Sequence, residues 1–198
     1  LTSLFSGMVT SVQAAYQFES GFVPNWFVGS IVGESILLEL APMMTALVMT
    51  GRIGATIAAE IGTMRVSEQI DALESLSFDP ISFLIFPRIL AAIIMFPLLI
   101  IIADFFGILG GMFTAVNAMD VSYSEFIRGL RSWFRPWDAW FGLIKGLCFG
   151  FAITSIACYQ GYFTTGGAHG VGKSTTATVV VSCVMIVFLD YFLAEILL

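Results

Sequence analysis

Apolar residues in this chain come in long unbroken blocks, not in alternation. The blocks cover 1–18, 27–50, 81–117, 140–162 and 175–197. A helix needs about 20 apolar residues to cross hydrocarbon, whereas a membrane β-strand shows short alternating segments. The pattern predicts five membrane-crossing helices in an all-α, polytopic membrane protein. The block at 81–117 is too long for one straight crossing. Pro87, Pro97 and the Gly107, Gly110, Gly111 cluster predict a single long, kinked helix there. Leu1 already lies inside the first block, so further residues are expected ahead of it.

The polar stretches predict the connections. Residues 19–25, with Gly21 and Pro24 beside Trp26, read as an interfacial loop. Residues 118–138 carry Arg128, Arg131 and Arg135 among Trp133 and Trp137, and read as an interfacial segment with aromatic anchors. Residues 166–174 read as a glycine-rich loop. The stretch 51–80 holds seven charged residues, about a third of the chain's total. Within it Val66, Ile70 and Leu73 recur at helical spacing, with Glu68, Gln69, Asp71 and Glu74 mostly off that face. This predicts a short amphipathic helix at 65–77, with Ser67 placed to cap it.

Composition removes whole classes of function. Of the 198 residues, 58% are hydrophobic and 11% are charged, against about 25% charged in an average soluble domain. Mean hydropathy is +0.95. A soluble domain of this size cannot hide so much apolar surface, which excludes a soluble enzyme and a disordered chain. Fourteen acids against eight bases give a net charge of −6 and no basic patch for nucleic acid. Loop charge does not orient the chain. Arg52, Arg65, Arg88 and Lys173 fall on one side, and Arg128, Arg131, Arg135 and Lys145 on or toward the other.

Candidate chemistry is sparse. Glu34, Glu39, Asp104, Lys145 and Asp190 lie within apolar blocks, where a central charge costs at least about 2.5 kcal/mol. Glu39, just before Ala41 and Pro42, is expected to line an interior surface, Glu34 to reach the interface, and Lys145 to pair with Asp190. Gly51, Gly54, Ala55, Ala58 and Ala59 form a small-residue face suited to close helix contact. Residues Gly167-Ala-His-Gly-Val-Gly172-Lys173-Ser174 match the pattern GxxxxGK[ST]. A nucleotide loop needs a preceding strand in an α/β domain, and none is expected here, so the match reads as spurious. His169 is the single histidine. Cys148, Cys158 and Cys183 sit apart in apolar runs, so no metal site is expected. The helix at 65–77 is acidic, whereas surface-lying membrane helices favour Lys and Arg. A protein partner is the expected ligand.

These residues resemble the MlaE-type permeases, subunits of ABC transporters that work with MCE proteins. The resemblance is carried by Glu39-Leu-Ala-Pro42, Gly51-Arg-Ile-Gly-Ala55, Ala59-Glu-Ile-Gly-Thr-Met64, Glu68-Gln-Ile-Asp-Ala-Leu73, Asp79-Pro80 and Pro87-Arg88. It continues through Gly110-Gly111, Lys145, Tyr159-Gln-Gly161, Gly170-Val-Gly172 and Asp190, over essentially the whole chain. Lys173-Ser174 departs mildly from it.

The resemblance implies a transport subunit without catalysis of its own. It implies five spans behind an N-terminal interfacial helix, in the inner membrane of a double-membraned bacterium. Residues 65–77 become a cytoplasmic coupling helix, with Glu68, Gln69, Asp71, Ala72, Leu73 and Glu74 meeting the ATPase; 118–138 becomes periplasmic. The implied partners are a second permease copy, an ABC ATPase dimer holding ATP and Mg, a periplasmic MCE hexamer and a small cytoplasmic accessory subunit. The implied cargo is phospholipid, held at the dimer interface, with Glu39 as a polar element and Leu4, Met8, Met43 and Leu47 against acyl chains. The competing expectation is a membrane scaffold or receptor that recruits a partner through its acidic helix without moving lipid.

Overall fold

The computed structural model describes residues 1–18, 24, 26–118 and 121–198. Among them we number seven helices: α1 (Thr2–Phe18), α2 (Trp26–Val66), α3 (Gln69–Ser75), α4 (Ile81–Ala118), α5 (Tyr123–Trp133), α6 (Pro136–Tyr162) and α7 (Gly167–Leu197). No strand occurs among the described residues. Helices α2, α4, α6 and α7 are long and apolar enough to cross a membrane. Helix α1, with 17 residues, is at the lower limit of a crossing. The described residues therefore supply four such helices where the apolar blocks predict five.

Prolines shape two of these helices. In α2 a π-helical segment at Ile36–Leu40 ends with the Ala41 N–H bonded to the Ile36 carbonyl. Pro42 follows at once. It has no N–H, and its ring presses on the carbonyl four residues back, that of Leu38. Widening the turn by one residue relieves the clash. Helix α4 repeats the device: a π-helical segment at Ile81–Ile85, the Phe86 N–H on the Ile81 carbonyl, then Pro87.

Contacts divide the chain into two compact units. The first comprises Leu1–Thr45 and Pro97–Ile144. Val28, Val32, Ile36, Ala115 and Phe126 are buried in its core. Here α1 lies against α4 at backbone distance. A Cβ on Gly7 would strike the Gly107 carbonyl, and one on Gly110 would strike the Leu4 carbonyl. The Ser3 hydroxyl donates to the Ala103 carbonyl across this contact. The glycine cluster expected to mark a kink is thus the docking face for α1. Helix α5 meets α2 in the same manner, and the Ser30 hydroxyl donates to the Gly129 carbonyl at 2.9 Å.

The second unit comprises Ala46–Phe96 and Lys145–Leu198. Its core holds Ala46, Phe96, Phe149, Ile153 and Ile186. Helix α7 buries Ser174, Thr178, Ser182, Ile186 and Asp190. The spacing of four puts them on one stripe, and α7 packs along the later part of α2.

Several boundaries differ from those expected. Helix α2 does not stop near residue 50 but continues to Val66, because leaving the apolar block gives a helix no reason to end. Residues 167–174 are not a loop but the opening turns of α7; only 163–166 connect it to α6. The helix expected at 65–77 is the shorter Gln69–Ser75. Ser67 does not cap it, because its hydroxyl donates back to the Thr63 carbonyl at 2.7 Å. Within 118–138, α5 starts from a capping box made by Ser122 and Glu125, and Pro136 already opens α6. Of the interfacial loop expected at 19–25, residues 19–23 and 25 lie outside the described residues, as do 119 and 120.

Candidate functional site

The acidic segment after α2 is a short helix held between two backbone reversals. Glu68 (φ 60°) and Ser77 (φ 62°) both adopt the left-handed conformation without being glycine, a strained state that surrounding contacts must hold. Those contacts are visible. Ile70 is fully buried against Ile61 and Cys158, with Met64 and Tyr162 packed around them. Arg65, in the last turn of α2, pairs with Asp71 at 2.6 Å. Its guanidinium lies 5.6 Å from the centre of the Tyr162 ring. The Tyr162 hydroxyl donates to Glu74 at 3.2 Å. One end of α6 is thereby tied to both α2 and α3. At the foot of α4, Arg88 pairs with Glu60 of α2 at 3.1 Å.

The six residues expected to meet a partner divide into two groups. Asp71 and Glu74 are exposed, yet each is engaged by Arg65 or Tyr162. Leu73 is half-buried, and its carbonyl accepts the Phe78 N–H. Glu68, Gln69 and Ala72 are exposed. Leu76 and Phe78 stand beside them, 68% and 56% exposed. The face presented outward is mixed acidic and apolar, a composition suited to a protein groove more than to a lipid surface.

Farther along the second unit, Lys145 of α6 and Asp190 of α7 meet at 2.7 Å, with side chains 0% and 11% exposed. Pairing answers the cost of each charge in an apolar helix. It also joins α6 to α7.

Of the residues expected to face acyl chains, Leu4, Met8, Glu39 and Met43 belong to the first unit and Leu47 to the second. Leu4 and Met8 line an apolar groove of about 490 Å³ in the first unit, with Met112 and Phe113 of α4. Glu39 lies half-buried in the π-helical segment of α2, and Met43 follows one turn on; neither lines that groove. Leu47 packs beside the core of the second unit. Glu34 is exposed, and Asp104 is half-buried on α4.

The family model described as Permease MlaE matches residues 1–196. The chain belongs to the MlaE permease family. It is 42% identical to a probable ABC transporter permease protein of Rickettsia felis, over 98% of this chain and 75% of that one. It is 36% identical to the intermembrane phospholipid transport system permease protein MlaE of Haemophilus influenzae, over all of this chain and 76% of that one. It is 38% identical to the chloroplastic protein TRIGALACTOSYLDIACYLGLYCEROL 1 of Arabidopsis thaliana, over 98% of this chain and 55% of that one.

In this MlaE-family permease the GxxxxGK[ST] match has no phosphate-loop geometry. Its residues are helical, and the Gly170 N–H is bonded to the Gly166 carbonyl. Ser174 is turned inward, where its hydroxyl donates to the Gln160 carbonyl at 2.6 Å. Among the described residues no group of three or more His, Cys, Asp or Glu could hold a metal ion.

Sequence reasoning missed two members of the cluster that holds α3. Arg65 counted only as charge, although its spacing of six from Asp71 across a turn was a signal. Tyr162 stands 88 residues from Glu74, and nothing local marks it.

Proposed function

We propose that this chain is the membrane subunit of an ABC transporter that moves phospholipid or a similar lipid between two membranes, with ATP and Mg held by a separate ATPase dimer. The observation that carries the reading is the pinned acidic helix α3, in a chain whose relatives include a probable ABC transporter permease and an intermembrane phospholipid transport permease. In this reading α3 is the cytoplasmic coupling helix, and its outward face, with Glu68, Gln69, Ala72, Leu76 and Phe78, enters a groove on the ATPase. Closure of the ATPase displaces α3. Ile70, the Arg65–Asp71 pair and the Tyr162–Glu74 bond pass that motion to α2 and α6, and Lys145–Asp190 passes it from α6 to α7. Rigid helices with two packing arrangements suit such gating.

The finer assignments belong to the same proposal. The permease pairs with a second copy, α1 supplies the fifth span, and the chain sits in the inner membrane of a double-membraned bacterium. The α5 side faces the periplasm, where an MCE hexamer docks, and a small accessory subunit joins on the cytoplasmic side. Lipid is held near Glu39 and Met43, with Leu4, Met8 and Leu47 as further acyl contacts.

Co-purification with the partner ATPase tests the handle. Glu68→Lys together with Leu76→Asp changes only exposed side chains, and should abolish ATPase association while leaving the permease folded. Unchanged association would overturn the coupling assignment; association lost with no ATP-dependent lipid transfer by the native complex would favour the scaffold reading.

A further inference from the structure

Helix α4 begins beside the cluster that holds α3. Leu84 and Ile85 pack against Ile61, Ile70 and Cys158, so α4 shares the apolar cluster that seats the acidic helix. One turn on, Arg88 Nη2 meets Glu60 Oε2 of α2 at 3.1 Å. The arginine side chain is 24% exposed and the glutamate side chain 55%, and an ion pair so open to solvent adds little stability. The other terminal nitrogen of the guanidinium, Nη1, is shut off from solvent and has no hydrogen-bond partner. A buried donor left unpaired is costly, and such groups in native proteins mark stored strain or a functional role. The backbone ahead of Arg88 is unusual too. The wide π turn at Ile81–Ile85 precedes Pro87, and no residue of that turn is buried. Such turns recur at functional sites. From Ile81 the helix runs to Ala118, and it carries Met112 and Phe113 of the apolar groove.

We infer, resting on the transport reading, that Arg88 is a positioning residue that hands the displacement of α3 to α4. Leu84 and Ile85 feel α3 through the shared cluster. Arg88, held by Glu60, keeps the entry of α4 in step with α2. Without that hold the π turn absorbs the displacement, because Pro87 supplies no N–H to close the turn before it. With it, the first turns of α4 move as one body. The unpaired Nη1 disfavours the described arrangement relative to one in which it is satisfied, which suits a contact that must shift between two packings. Helix α4 thereby joins α2, α6 and α7 among the helices that answer the ATPase.

The test uses the permease assembled with the proposed ATPase and MCE partners in proteoliposomes. Two quantities are read: lipid transferred per ATP hydrolysed, and hydrogen exchange over residues 81–90 with and without a non-hydrolysable ATP analogue. Arg88→Gln and Glu60→Gln should each lower the transfer ratio about fivefold, the ceiling for a partly exposed pair. Each should abolish the nucleotide-dependent change in exchange over 81–90 and leave that of α3 intact. The double variant should fall no further than either single one, because the two residues act as a unit. Arg88→Lys, which keeps a charge against Glu60, should retain most of the ratio. Melting temperature and ATPase association should stay at native values in every variant, which a merely structural role would not allow. An undiminished ratio in Arg88→Gln, losses that add in the double variant, or a loss that follows a fall in melting temperature would overturn the role of Arg88 while the native complex still moves lipid with ATP. A native complex that moves no lipid with ATP would overturn the transport reading along with it.

Discussion

The hydroxyl of Tyr162, in the last turn of α6, donates to Glu74 of α3 across 88 residues of sequence. The same ring lies beside Arg65, which holds Asp71. One tyrosine therefore ties the short acidic helix to two long ones. These are exposed contacts, each worth about 0.5–1.5 kcal/mol or less, so their role is to fix direction more than to stabilise the fold.

Substitution of Tyr162 separates those roles. Tyr162→Phe keeps the ring beside Arg65 and loses the bond to Glu74; Tyr162→Leu loses both. Both variants should retain normal melting within about 1 kcal/mol and should still bind the ATPase. Lipid moved per ATP hydrolysed should fall in Tyr162→Phe and fall further in Tyr162→Leu. Unchanged stoichiometry in Tyr162→Leu would remove this residue from the coupling route.

The buried pair should behave differently. Lys145→Met leaves Asp190 desolvated and without its ammonium partner, a loss of about 3–5 kcal/mol. Replacing both, Lys145→Met with Asp190→Leu, should recover most of that loss. Thermal unfolding in detergent, read as a double-mutant cycle, gives the coupling directly. Additive losses would mean that the two charges do not depend on each other.

Two glycines should respond in opposite directions. Gly110→Val places a branched side chain on the Leu4 carbonyl and should cost about 1–3 kcal/mol through overpacking. Gly172, inside α7, has nothing within 4 Å of an added Cβ. Gly172→Ala should stabilise by about 0.5–1 kcal/mol, because alanine loses less backbone freedom in a helix. Melting temperatures of the two variants against the native protein check both.

Asp79 should make a pH-dependent contribution. Its carboxylate accepts from the Ser82 hydroxyl at 2.6 Å and from the Ile81 N–H at 3.2 Å. These bonds, the hydroxyl first, hold its pKa below the ordinary value of 3.8. Because the folded form is the stronger acid, the stabilisation is fully present above the ordinary carboxylate range. It is lost as pH falls through the depressed value. The difference in stability between native protein and Asp79→Asn should be constant from neutral pH down to about 5 and should shrink under stronger acid. A difference that grows on acidification would contradict the capping role.

Much of this architecture was legible because lipid burial imposes simple rules. Long apolar blocks marked α2, α4, α6 and α7, and opposite charges in two such blocks anticipated Lys145 with Asp190. The passage of α2 through Arg52, Glu60 and Arg65 was not legible, because a helix that leaves hydrocarbon keeps its own hydrogen bonds and need not end. The glycines at 167, 170 and 172 suggested a loop. The stronger signal lay downstream, where Ser174, Thr178 and Ser182 repeat every four residues and bury one stripe. Around α3 the acidic helix was visible, but what fixes it was not. Arg65 and Tyr162 act through tertiary contacts that no local pattern announces.

ATP-driven lipid movement is the central expectation of the proposed function. The measurement is transfer of a labelled phospholipid out of proteoliposomes holding this permease with the proposed ATPase and MCE partners, with and without ATP. Transfer should require hydrolysable ATP, and it should disappear in Glu68→Lys with Leu76→Asp while the protein stays folded. Transfer at the same rate without ATP, or undiminished in that variant, would contradict it.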